Sequence, residues 1–222
     1  MASLKGFYGR EWTKSADCCL AAYRADTLLF PALLYWAAKY ALNAGRLDLA
    51  GKWFKENYRI TPADNFGSRY YLALLDVIHQ SHKQNNYIKS EKCGMWGQYL
   101  AAVIAFNKQD LPGCVLEFSK TLKYSYAFFA VLNDSEYDWS QFRILSNLES
   151  IAYARELDHY LLKHLKPYKE MREYLVELCR QPGVFEAVIE YEQARDAYTG
   201  GFKEEERREQ RYKKLERCLT QF

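Results

Sequence analysis

AKYALNAGRLDLAGKWFKENYRITP, residues 38–62, sets a small residue at Ala38, another at Ala50, an aromatic at Phe54 and a proline at Pro62. Leu47, Ala50, Phe54 and Tyr58 recur at helical spacing, so their side chains share one face of a helix over Leu47 to Tyr58. Gly45, just before it, suits the left-handed residue that ends a preceding helix. The same succession returns in AVIAFNKQDLPGCVLEFSKTLKYSY, residues 102–126, as Ala102, Cys114, Phe118 and Tyr126. In each copy the spacings are twelve, four and eight residues. Two helices approach closely only where neither carries a bulky side chain at the crossing. The pattern predicts such a crossing, with an aromatic filling the wedge one turn on.

Working outward, a first helix is predicted over Ser15 to Arg24 and a second opens at Asp26 or Thr27. Pro31 falls in the first turn of the second helix, where a missing N–H costs little. Pro62 and Asp64 break the chain before RYYLALLDVIHQ, and SHKQNNYIKSEK, residues 81–92, reads as a loop. Helices follow at Met95 to Asn107 and Pro112 to Lys123. SYAFFAVLNDSEYDW reads as an apolar helix with a turn at Asn133-Asp134, and FRILSNLESIAYARELDHYLLKHL as one long helix with a possible break near Ser146-Asn147. PYKEMREYLVELCRQ, VFEAVIEYEQARDAY and FKEEERREQRYKKLERCLTQF complete an all-α chain of roughly ten helices.

Nearly half of the 222 residues are hydrophobic, which argues against disorder. A net charge of +3 carries no global nucleic-acid footprint. The six cysteines, Cys18, Cys19, Cys93, Cys114, Cys179 and Cys218, include no CxxC pair and read as free thiols of a reducing, cytoplasmic setting. MASLKGFYGREW reads as no secretory signal, and TLLFPALLYWAAKYALNA is too polar and too short for a bilayer span.

The two matched series, Ala38, Ala50, Phe54, Pro62 and Ala102, Cys114, Phe118, Tyr126, resemble the tetratricopeptide repeat over approximately residues 31–126. The departures are Ala38 where that family often has glycine, Tyr126 in place of proline, and the stretch from Asn65 to Lys92, which lacks a second helix with the pattern. The resemblance implies a right-handed α-solenoid of antiparallel helical hairpins, repeat-like over 1–132, continued by further hairpins over 133–201 and closed by a charged amphipathic helix over 202–222. Another helical array and a compact bundle are the alternatives.

The expected function is a non-enzymatic scaffold that binds a protein or peptide partner, with no cofactor and no membrane association. In a solenoid, first-helix residues line a concave groove. Tyr35, Lys39, Arg69, Tyr70, Gln98 and Tyr99 are polar or amphipathic enough to stand there, where tyrosines and cations suit an acidic or aromatic peptide. Tyr212, Leu215, Leu219 and Phe222 form a narrow apolar stripe on the last helix, either a cap on the array or a docking segment for a partner.

Two rival functions stay open: a nucleic-acid-associated helical protein and a metal-dependent helical enzyme. The second rests on Asp76, His79 and His82 and on the Glu-x-x-His pair Glu156 and His159, which fall short of a di-metal set. No phosphate loop, nucleophile elbow or Cys-His signature is present.

Overall fold

The short turns that end two of the helices close with the same pair of backbone hydrogen bonds. In the computed structural model, Gly45 N–H donates to the Leu42 carbonyl and Arg46 N–H to that of Ala41. Gln109 N–H donates likewise to Phe106, and Asp110 N–H to Ala105. Both are Schellman closures, and each needs a left-handed residue, Gly45 at φ 76° and Gln109 at φ 62°. The flanking helices match as well. With α1 as Phe30–Asn43, α2 as Leu47–Ile60, α4 as Gly94–Asn107 and α5 as Leu111–Tyr124, all four are 14 residues long, and the second hairpin begins 64 residues after the first. Tyr35, Ala38, Ala41, Asn43, Leu47 and Phe54 recur at that offset as Tyr99, Ala102, Ala105, Asn107, Leu111 and Phe118.

The structure describes residues 14, 17, 30–61, 63–64, 67–79, 94–133, 137–142 and 147–221. The helix expected over 15–24, the 81–92 loop, Pro62, His82, Phe222 and the cysteines Cys18, Cys19 and Cys93 lie outside them. Among the described residues there are ten α-helices and one 3₁₀ turn, and no strand. The chain is all-α and divides into two compact units, Met1–Tyr87 and Ile88–Phe222.

In the first unit, α1 packs on α2 and α2 on α3, Ser68–Ile78. Ala38, Ala50 and Phe54 are fully buried. Phe54 stacks on Tyr71 of α3 with ring centroids 4.7 Å apart, and Tyr35 meets Phe54 edge-on at 6.0 Å. A polar pin crosses all three helices. Asn57, fully buried, donates from Nδ2 to the Pro31 carbonyl at 2.5 Å and accepts from Ser68 Oγ at 2.8 Å. Asp64 caps α3 by accepting from Ser68 N–H at 2.7 Å and Arg69 N–H at 3.2 Å. Burial nevertheless raises the Asp64 carboxyl above its usual range, the two backbone donors opposing it.

The second unit adds α6, Ala127–Asn133, the 3₁₀ turn Trp139–Gln141, α7, Asn147–His164, α8, Tyr168–Cys179, α9, Val184–Asp196, and α10, Phe202–Thr220. Ala102, Cys114 and Phe118 are fully buried. Tyr99 reproduces the place of Tyr35, edge-on to Phe118 at 6.3 Å and stacked on Phe128 of α6. Within the stretch read from Phe142 to Leu165, Phe142 closes the 3₁₀ turn and α7 starts at Asn147, where the break near Ser146-Asn147 is expected. α8 packs against α4, α6 and α7, and α10 against α5 and α9.

Another polar pin joins α9 to the end of α5. Tyr191 OH and Arg195 Nη1 both donate to the Lys123 carbonyl, at 3.1 and 3.4 Å. Arg195 also pairs with Glu192, which is fully buried and whose Oε1 has no hydrogen-bond partner. Burial pushes the Glu192 carboxyl up to about 8, against the pull of Arg195 and with Asp196 adding to the rise.

Two outcomes are expected. Ala38→Leu and Ala102→Leu each overpack a crossing and lower unfolding free energy by about 1–3 kcal/mol in urea titrations. A loss under about 0.5 kcal/mol, the range of surface substitutions, would mean that the helices do not need small residues there. Glu192 supplies a pH dependence. The folded chain keeps its proton up to about 8, whereas the unfolded carboxyl loses it near 4.5. The contribution of the neutral group is therefore full below the lower value and is lost as pH rises through the higher one. Glu192→Gln removes that decline, so its urea midpoint overtakes the parent's at alkaline pH. Parallel pH curves for the two proteins would rule the assignment out.

Candidate protein-interaction surface

Positions 35, 36, 39 and 40 of α1 fall on one side of a helix because they are separated by one, four and five residues. Ala37, Ala38 and Ala41 turn the other way and are fully buried against the rest of the unit. The side left over carries Tyr35, Trp36, Lys39 and Tyr40. Trp36 is 47% exposed, the most exposed large hydrophobic residue described in this unit. Lys39 Nζ stands 5.8 Å from the Tyr35 ring, 5.3 Å from Trp36 and 5.4 Å from Tyr71. Tyr35 OH donates to Tyr71 Oη at 3.3 Å, and Trp36 lies 6.2 Å from Tyr40. Each cation–ring contact at such a site is worth about 0.5–1 kcal/mol, enough to hold the ammonium in place without burying it. The rings are rigid because Tyr35 and Tyr71 both lean on Phe54 in the core.

Arg69 and Tyr70 stand at the start of α3. The Arg69 guanidinium lies 5.1 Å above the Tyr70 ring and its Nε is 3.4 Å from Asp64 Oδ2. Gln98 is half-buried on α4.

One placement differs from the sequence reading. Tyr99 is fully buried, not groove-lining. Its hydroxyl lies 2.7 Å from that of Tyr168, which donates to Asp158 at 2.6 Å, and Arg172 Nε donates to both Asp158 oxygens at 3.1 and 3.3 Å. With its hydroxyl answered by Tyr168, Tyr99 becomes a core residue. For the terminal stripe the burial fits the capping alternative and not the docking one. Tyr212, Leu215 and Leu219 are buried against the chain's own helices. Tyr212 lies 5.7 Å from Tyr191, and Lys123 Nζ sits 4.4 Å over its ring. The stripe closes α10 onto α5 and α9, so these three side chains face no partner.

Trp36, Tyr40 and Tyr71 were not singled out by sequence. Their signal was present as the helical spacing of aromatics around Lys39, but a buried alanine stripe and an exposed aromatic stripe share that run.

Other chemistry has little to work with. Among the described residues no three His, Cys, Asp or Glu side chains come together as a metal site, and no helix is long and apolar enough to cross a membrane. His159 is exposed, and Glu156 accepts from Tyr160 at 3.3 Å. Burial pushes the Cys114 thiol up to about 12, with Asp110 adding to it, and raises that of Cys179 as well. Neither is a thiolate near neutral pH. Comparison with protein-family models, with curated proteins and with solved structures finds no match.

Proposed function

We propose that the chain is a non-enzymatic interaction scaffold, a tetratricopeptide-like array of helical hairpins that holds a protein partner on the α1 surface. The observation that carries this reading is Trp36, 47% exposed beside an ammonium held among three rings. Tryptophan, tyrosine and arginine dominate the energetics of protein interfaces, where a large rigid ring loses little freedom on binding. A pre-ordered Lys39 adds a cation whose conformational cost was met on folding. The partner is a peptide or protein segment with an aromatic or aliphatic anchor for Trp36 and a carboxylate for Lys39. Arg69 and Tyr70 extend the surface along α3. The two hairpins, identical in length and in turn geometry, accord with a repeat architecture. The free thiols Cys114, Cys179 and Cys218 accord with a reducing cytoplasm.

The test is capture of partners from source lysate by the tagged chain, quantified by mass spectrometry. Trp36→Ala combined with Lys39→Ala is expected to cut recovery of the specific set by about tenfold, with helical circular dichroism unchanged. A control pair, Tyr153→Ala with Leu162→Ala, removes exposed hydrophobic residues elsewhere (52% and 46% exposed) and leaves recovery as it was. Equal recovery by the α1 variant and the parent would defeat the proposal.

A further inference from the structure

Along α10, Arg207, Arg211 and Lys214 are separated by four and three residues and so form one stripe, with Gln210 between them. It is not the stripe that seals the helix to the core, which is made by Tyr212, Leu215 and Leu219. Beside that apolar seam the two helices diverge. A cleft of about 590 Å³ opens between α9 and α10, lined by Glu190 and Gln193 on one wall and by Arg207, Gln210, Arg211 and Lys214 on the other. Three cations face one carboxylate, so the cleft carries an excess of positive charge.

Glu190 reveals what the cleft recognises. Arg211 Nη1 donates to its Oε2 at 2.6 Å, and Lys214 Nζ donates to its two oxygens at 2.8 and 2.9 Å. The Lys214 hydrogen bond, and after it the charges of Lys214 and Arg211, hold the Glu190 carboxyl below its usual range. A carboxylate presented on a helix is thus already seated, while Arg207 and the side-chain amides of Gln193 and Gln210 remain as donors along the cleft.

We propose that the α9–α10 cleft is a receptor for an acidic peptide segment, whose carboxylates pair with Arg207, Arg211 and Lys214 in the manner that Glu190 displays. An arginine fork matches a carboxylate through two parallel hydrogen bonds, and a second arginine one turn away accepts the next carboxylate of the segment. A nucleic-acid backbone fits less well. Its phosphates form an unbroken run of charge, whereas α10 interrupts its cations with Glu204, Glu205, Glu206, Glu209 and Glu216. Separate carboxylates on a peptide can settle on the cations and avoid these acids. Glu190 acts as an internal competitor that sets the affinity. The site lies on helices other than those of the α1 surface, and the inference stands whether or not that surface binds a partner.

The test uses the full chain and a fluorescein-labelled peptide whose glutamates are separated by serines, followed by fluorescence anisotropy in low and moderate salt. The parent binds, more weakly as salt rises. Arg207→Gln with Arg211→Gln weakens binding by about tenfold. Lys169→Gln with Lys213→Gln removes the same charge from exposed positions that do not line the cleft, and changes affinity by less than about twofold. Glu190→Gln frees two cations and tightens binding by about threefold. These pairs are exposed or half-exposed, so the variants fold. The proposal fails if both double variants lose affinity equally, which is general charge attraction. It fails too if Glu190→Gln leaves binding unchanged or weaker, or if a labelled single-stranded oligonucleotide binds the cleft more tightly than the peptide.

Discussion

Side chains no larger than a thiol stand buried where α1 packs on α2 and where α4 packs on α5: Ala38 and Ala50 in one unit, Ala102 and Cys114 in the other. The small size of the side chains on these packed faces is the constraint the rest follows from. Each pair is joined by a turn of three residues, in which Gly45 or Gln109 takes left-handed backbone and the same two hydrogen bonds close the helix end. One turn on from Ala50 and Cys114, the rings of Phe54 and Phe118 are fully buried. The ring in turn recruits an aromatic partner from its own first helix, Tyr35 or Tyr99.

Polar pins then orient what the apolar contacts only gather. Asn57 ties α2 to the first turn of α1 and to Ser68 at the start of α3. Asp158 collects Tyr168 and Arg172, and through Tyr168 reaches Tyr99. Dispersion and burial tolerate a rotation of one helix on another, whereas a buried amide or carboxylate with directed partners does not. The surface features inherit this rigidity. Lys39 is positioned by rings that are themselves fixed in the core, and the α9–α10 cleft is held open by a seam of Tyr212, Leu215 and Leu219 packed beside it.

Much of this was legible in the residues. The helical class and the burial of Ala38, Ala50 and Phe54, and of Ala102, Cys114 and Phe118, followed from spacing, since a period of 3.6 residues and the volume of a side chain are local properties. Of the residues expected to line a groove, the structure brings some together. Tyr35 and Lys39 do meet, and Arg69 and Tyr70 do stack. Tyr99 was misplaced because its burial depends on Tyr168 and Asp158, which lie 69 and 59 positions away along the chain. No local pattern announces that a phenol will find a partner at such a distance.

The order of amino acids thus determined where helices begin and end, which stripes are small or apolar, and that the chain would fold as paired helices. Tertiary structure alone decided which stripe of each helix would be covered. Trp36 stays at the surface while Tyr99 does not, and the terminal stripe packs inward beside a cationic cleft. The physical reason is that burial belongs to pairs of elements. A side chain's periodicity is set by its own backbone, but its exposure is set by whatever helix arrives opposite it, and by whether its polar atoms find partners there.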